Sequence, residues 1–212
     1  MDCCNLETVQ KSTEEFIDLF CEKLQVLLRH DFISKQQNSY INYTKENMLP
    51  SEVVVVCDFS ENYSFILQDE AQSFHWNKPQ ATIHPFVIYF KKEDNKVEHC
   101  SSVIISESLG HNTVAFYSFQ KKLIQFLILK FDKLTKILYF SDGSAAQYKN
   151  KKNFMNLAYH KKDFAIEAEW HFFATAHGKG PCDGVGGTVK REAARASLQR
   201  PYENHIITPF QL

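Results

Sequence analysis

Two hydrophobic rhythms run along this 212-residue chain, one helical and one of period two. Ser12-Thr13-Glu14-Glu15 reads as a capping box, and Phe16, Leu19, Phe20, Leu24, Leu27 and Leu28 follow at helical spacing, predicting an amphipathic helix to about Arg29. Asp31–Pro50 is polar and predicted helical in part. Glu52–Asp58, with four consecutive valines and Cys57, predicts a strand buried on both faces, as at the centre of a parallel or mixed sheet. Further strands are predicted at Ala81–Phe90 and Val97–Ser106, with the charged run Lys91–Lys96 as a hairpin loop. Asn112 can cap a helix over Thr113–Phe131, with Phe116, Leu123, Phe126 and Leu127 inward. Lys136–Phe140 is a short apolar strand that runs into Ser141-Asp142-Gly143-Ser144. Gln147–His160 reads as a helix with Phe154, Leu157 and Ala158 on one face, and from Phe164 to Thr175 the pattern alternates as in a strand. A glycine-rich segment, His177–Gly187, leads into a helix-like stretch, Thr188–Ala196.

Early strands on short links favour antiparallel pairing, and later strands joined through helices favour parallel crossovers. The expected fold class is therefore α/β, a mixed sheet flanked by helices. Residues 1–50 read as an N-terminal helical extension, 51–199 as the core, and 200–212, aperiodic with Pro201 and Pro209, as a tail that stops as if truncated. Composition is that of a globular protein, 44% hydrophobic and 23% charged. The net charge of −1 excludes a global pull toward nucleic acid or membrane, so any basic surface is local. The longest apolar stretch, Leu123–Phe131, is interrupted by Gln125 and Lys130 and is too short for a membrane span. The six cysteines form no CxxC pair and no zinc-ligand spacing, and no cleavable leader is visible, which reads as a reducing, intracellular setting with free thiols.

The chemistry concentrates at three acids. Two buried strands each end at an aspartate, Asp58 and Asp142, and Asp183 lies in the segment that holds five of the seven glycines. Sites in open α/β sheets form at the carboxyl ends of strands. If the strands bearing Asp58 and Asp142 are parallel neighbours, their carboxylates meet, repel, and are reconciled by a hard cation such as Mg²⁺. Asp183 can complete that set through the pliant glycine backbone. Ions held this way activate a hydroxyl or water and stabilise the leaving oxygen in displacement at phosphorus. Cations lie nearby for a nucleic-acid strand: Lys149, Lys151, Lys152, Lys161 and Lys162 around one helix, and His177, Lys179, Lys190 and Arg191 around the other. The bland readings are a turn-former or helix cap for each aspartate, a solvated face for the lysines, and packing for His75 and Trp76. Gly178-Lys179-Gly180 lacks the third glycine of a dinucleotide fingerprint and no GxxxxGK[ST] is present, so no nucleotide cofactor is expected. Cys182 has no evident base partner for a nucleophile role.

Asp58-Phe59-Ser60-Glu61-Asn62-Tyr63, His75-Trp76 with Gln80-Ala81-Thr82, Ser141-Asp142-Gly143 with Gln147-Tyr148-Lys149, and His177–Gly187 together resemble the catalytic core of DDE-type transposases of eukaryotic DNA transposons. The resemblance spans about Ser51–Leu198. It implies a ribonuclease H-like fold with a five-stranded mixed sheet, the first acid on strand one, the second after strand four, and the third on or just before the helix after strand five. Asp58 and Asp142 match the first two. Asp183 is the preferred third acid and Glu192, inside the helix, the alternative. The resemblance implies two Mg²⁺ or Mn²⁺ ions, DNA as partner, nuclear localisation, cleavage by water and strand transfer by the freed 3′-hydroxyl. A second copy of the chain is an optional further partner. Only about fifty residues precede Asp58, without zinc-ligand spacing, so the DNA-recognition module usual upstream in such transposases is missing from this sequence. The alternative is a domesticated, catalytically inactive remnant that binds DNA or protein; a nuclease for RNA–DNA hybrids is a third option.

Overall fold

The computed structural model describes residues 8–66, 78–173, 180–201 and 204–212. His75, Trp76, His177, Gly178 and Lys179 lie outside the described residues. The first described element is one long helix, α1 (Thr13–Asn47). Its start is the capping box read from sequence: Glu15 N donates to Ser12 Oγ at 3.3 Å and Ser12 N donates to Glu15 Oε2 at 2.9 Å. The helix continues well past Arg29 and takes in the polar stretch predicted helical only in part. The closing Met48 N–H bonds to Thr44 O, and Pro50 follows.

Among the described residues six strands form one mixed sheet: β1 (Glu52–Cys57), β2 (Tyr63–Ser64), β3 (Gln80–Lys91), β4 (Val97–Ser106), β5 (Lys136–Ser141) and β6 (Glu167–Phe172). The expectation of five strands is corrected to six, and the addition is the two-residue β2. It arises because the backbone leaving β1 keeps following β3: Ser60 N donates to Ile83 O at 3.0 Å, and Tyr63 then pairs with Ala81. β3 runs antiparallel to both β1 and β4, whereas β1–β5 and β5–β6 are parallel. The parallel links cross over through α2 (Thr113–Lys130) and α3 (Lys151–Phe164), and α4 (Pro181–Leu198) follows β6.

The valine run is buried on both faces because two helical layers sandwich the sheet. Val53, Val55 and Cys57 pack with Phe116, Phe119, Leu123, Ile124 and Leu127 of α2. Val54 and Val56 pack on the opposite side with Ile41 and Met48 of the α1 end and with Cys182 of α4. A third cluster joins Tyr63, Phe65 and Ile83 to Ala193 of α4 and to Ile206 of the tail, and Ile206 N also donates to Ser197 Oγ at 3.2 Å. Two inward faces differ from the pattern-based reading. Phe126 of α2 and Phe154 of α3 are exposed, and the buried residues of α3 are Asn153 and His160. Burial of that imidazole is tolerated because Nδ1 donates to Ile166 O at 2.7 Å, leaving Nε2 to accept from Tyr139 Oη at 3.2 Å.

The glycine segment is the largest correction. The helix begins at Pro181, not Thr188, so Gly184, Gly186 and Gly187 are helical residues rather than parts of a loop. Gly186 has a packing reason: a Cβ there would sit 2.8 Å from Ser60 Oγ and 3.1 Å from Ser60 Cβ. Glycine thus lets α4 rest on the Ser60 side chain, two residues after Asp58. Among the described residues, nothing lies within 4 Å of a Cβ built at Gly184 or Gly187. Gly184→Ala and Gly187→Ala should each stabilise the fold by about 1 kcal/mol in denaturant unfolding, through helix propensity alone. Gly186→Ala should instead destabilise it by roughly 1–3 kcal/mol, because Ser60 Cβ cannot rotate away, and Ser60→Gly in the same chain should recover most of that loss.

Candidate active site at the carboxyl edge of the sheet

β1 and β5 pair in parallel, with Val53 opposite Ile137 and Val56 opposite Phe140. The same register carried two residues further sets Asp58 level with Asp142. Adjacent strands lie about 4.8 Å apart, so Asp58 and Asp142 neighbour one another at the carboxyl edge, within electrostatic reach. Burial, and then the charge of Asp142, push the Asp58 carboxyl up to about 7; Asp183 adds a smaller push in the same direction. Burial raises Asp142 too, against the lowering effect of the Ser144 N–H, which donates to Oδ1 at 3.2 Å. Ser141 anchors the strand end, accepting from Trp170 Nε1 at 2.9 Å.

The third acid comes from α4. Cys182 is buried with its Sγ 3.3 Å from Val56 O, which pins the first turn of α4 over the end of β1. That burial, with the nearby Asp58 charge, pushes the thiol up to about 12, away from the thiolate form that a nucleophile needs. Asp183 follows and is exposed, and its Oδ2 accepts from Gly180 N at 2.9 Å, closing the helix N-terminus. Asp183 is therefore near Asp58 but engaged as a cap. Glu192 lies nine residues along the same helix, about half a turn round from Asp183. It is exposed and faces Arg191 at 3.8 Å and Arg195 at 3.7 Å. Among the described residues no three His, Cys, Asp or Glu side chains are gathered closely enough to hold a metal ion. Asp58 and Asp142 nevertheless suit a hard divalent cation by donor type and by the mutual repulsion a cation would relieve.

The basic residues divide into two groups. Lys151 and Lys152 open α3 and help line a cavity of about 450 Å³ between α2 and α3, with Val114, Tyr117 and Met155. Lys149 lies 5.4 Å over the ring of Phe172. Lys161 is engaged with Glu167 at 2.6 Å, and Lys162 lies over Tyr159. On α4, Lys190 is half-buried and its ammonium is pushed down by that burial, partly restored by Glu61. Arg191 is exposed and donates to Thr188 Oγ1 at 3.3 Å.

Sequence reasoning missed a polar and aromatic scaffold behind Asp58. His111 stacks on Phe59 with ring centroids 4.7 Å apart, and its Nε2 donates to Asn62 Oδ1 at 2.7 Å. Thr82 Oγ1 lies 2.9 Å from the same Asn62 oxygen. On the other side of Phe59, the fully buried His84 meets the ring edge-on at 4.4 Å, and His84 Nε2 lies 3.0 Å from Tyr148 Oη. Asn62, Thr82 and Tyr148 belong to three of the four motif segments read from sequence, so these contacts give the joint presence of those three segments a physical basis. The available signal was a histidine at a buried strand position in β3; nothing local marked His111. Burial and then the charge of Lys190 hold the His111 imidazole low, which brings Lys190 within electrostatic reach of this scaffold.

Two shifts here make opposite pH arms. Burial pushes the His84 imidazole down to about 3. Below its ordinary value near 6.5 the unfolded chain protonates this ring and the folded chain does not, so stability should fall between about pH 6.5 and 3. His84→Phe should reduce the stability difference between pH 7 and pH 4 by roughly 2–4 kcal/mol in urea titrations. Asp58 acts in reverse: its raised carboxyl is protonated in the fold and ionised in the unfolded chain between about pH 4 and 7, so its contribution to stability is lost as pH rises through that range. Asp58→Asn should raise stability at pH 8 without divalent cations by about 2 kcal/mol and leave it nearly unchanged at pH 4.

Comparison with known proteins adds family membership. Among curated proteins none matches the sequence. Of solved structures, the chain is similar to the crystal structure of LC9-RNase H1, a type 1 RNase H with the type 2 active-site motif, at 8% identity and a TM-score of 0.39, over 71% of this chain and 75% of that one. A likeness that distant assigns neither fold nor activity. No helix among the described residues is long and apolar enough to cross a membrane. Residues 37–212 match the family described as Domain of unknown function (DUF8701), and the chain belongs to that family.

Proposed function

We propose that this chain is the core of a metal-dependent phosphoryl-transfer protein acting on DNA, with a ribonuclease H-like arrangement of strands. The observation that carries the reading is that Asp58 and Asp142 directly follow the ends of neighbouring parallel strands, with the Asp58 carboxyl raised by burial and then by the charge of Asp142. Asp58 and Asp142 would hold Mg²⁺ or Mn²⁺, with Asp183 as the third ligand once its side chain leaves the Gly180 N–H. Two such ions would supply an activated water or 3′-hydroxyl and a stabilised leaving oxygen. Lys149, Lys151, Lys152 and Lys190 would bind phosphates on either side of the acids and position the strand without reading its sequence. Glu192 is not part of this proposal, because its carboxylate faces two arginines on the solvent side of α4. The residue motifs favour the transposase form of the reaction, in which cleavage is followed by strand transfer.

A second reading rests on Asp183: its carboxylate caps its own helix, as expected of a remnant that binds DNA without cutting it. Nicking of supercoiled plasmid in Mg²⁺ or Mn²⁺, together with Mn²⁺ calorimetry, separates the two. The catalytic reading expects Mn²⁺ binding and nicking, with Asp142→Asn reducing nicking at least 100-fold at unchanged circular dichroism. Absence of both Mn²⁺ binding and nicking overturns it in favour of the remnant, and full nicking by Asp142→Asn overturns the site.

A further inference from the structure

Among the described residues, it is the end of α1 that is seated on the body. Ile41 is 6% exposed and Met48 is buried in the cluster with Val54, Val56 and Phe140, while Tyr40 meets the ring of His171 at 5.0 Å and Lys45 lies 3.8 Å over Tyr89. Toward its start the helix carries large apolar side chains in the open: Phe16 is 60% exposed, Phe20 55% and Leu27 59%. At 1.5 Å per residue, residues 13–33 form a rod about 30 Å long, and they precede the family match at residue 37.

These apolar residues form a seam. Ile17, Phe20, Leu24 and Leu27 follow the 3-4-3 spacing of a heptad repeat, with Phe16 and Leu28 flanking. Ser34, Ile41 and Met48, all buried, fall on the same heptad position as Phe20 and Leu27. The face that packs on the sheet thus runs on along the helix after the sheet has ended.

Charge selects the occupant. Within residues 13–22 the charged residues are Glu14, Glu15, Asp18 and Glu22, all acidic. Residues 23–35 carry Lys23, Arg29 and Lys35 against Asp31, and Asp31 is paired with Lys35 at 2.7 Å. A parallel copy would set acid against acid. An antiparallel copy sets the acidic half of each helix against the basic half of the other. Centring the pair at Glu22 puts Ile17 opposite Leu27 and Phe20 opposite Leu24, a self-complementary two-fold contact.

We propose that residues 13–31 of α1 form an antiparallel helical pair with the same segment of a second copy of this chain. In that register Cys21, exposed on α1, lies on the same side of the seam as its symmetry mate, about one turn or less along the axis. A parallel pair would put the two thiols on opposite sides. Sedimentation equilibrium of the full chain from 1 to 100 µM should show a concentration-dependent dimer, and Leu24→Glu should weaken it at least 100-fold without changing the thermal unfolding of the sheet domain. With Cys3 and Cys4 replaced by serine, a short bismaleimide should cross-link the dimer through Cys21, and Cys21→Ser should abolish the product. A monomer throughout the range, a dimer indifferent to Leu24→Glu, or a Leu24-dependent dimer without Cys21 cross-linking would each overturn the proposal. None of these readouts depends on metal binding or nicking.

Discussion

Two carboxylates that share a half-buried corner repel each other, and the backbone pairing of β1 with β5 is what holds them there. Ladder hydrogen bonds along five register pairs fix the strands, so the side chains at their ends have no freedom to separate by more than a rotamer change. The rest of the architecture supports that register. The valines of β1 are committed to both hydrophobic layers, and a slip by one residue would exchange the layer that meets α2 with the layer that meets α1 and α4. The raised Asp58 carboxyl is the electrostatic cost of this constraint.

The scaffold around Asp58 has a consistent logic. The backbone after β1 keeps its hydrogen bond to β3 through Ser60, so Asp58 sits at a strand end that is still tethered on one side. Phe59 is clamped between His84 and His111, and Asn62 accepts from His111. Gly186 then lets α4 approach the same stretch closely enough to bring Asp183 into electrostatic reach. Packing behind the acids and charge in front of them are therefore coupled through a single short segment, 58–62.

Much of this was legible in the chain. The valine run, the alternation of which Glu167–Phe172 forms the strand, and the cap at Asn112 each carry a local physical signal, while Phe164, read as the strand's start, ends α3 instead. Failures occurred where tertiary contacts outweighed local preference. Glycines at 184, 186 and 187 oppose a helix intrinsically, yet α4 starts at Pro181, where Asp183 caps the first turn and Cys182 is buried against β1. The inward face of α3 departs from the apolar pattern because its buried positions are polar: Asn153 donates to Tyr148 O just before the helix, and His160 is held by Ile166 O just after it and by Tyr139 of β5.

By itself the sequence determined the α/β class, the order of elements apart from the short β2, and the placement of Asp58 and Asp142 at the ends of apolar strands, because these follow from periodicity and local composition. Tertiary structure decided which strands are neighbours, whether the acids lie level, and which face of α4 meets them. It also separated Asp183, near Asp58 on the capped first turn, from Glu192, turned to solvent beside two arginines. Those outcomes depend on contacts between residues far apart in the chain, where register and helix phase are set by packing rather than by any local pattern.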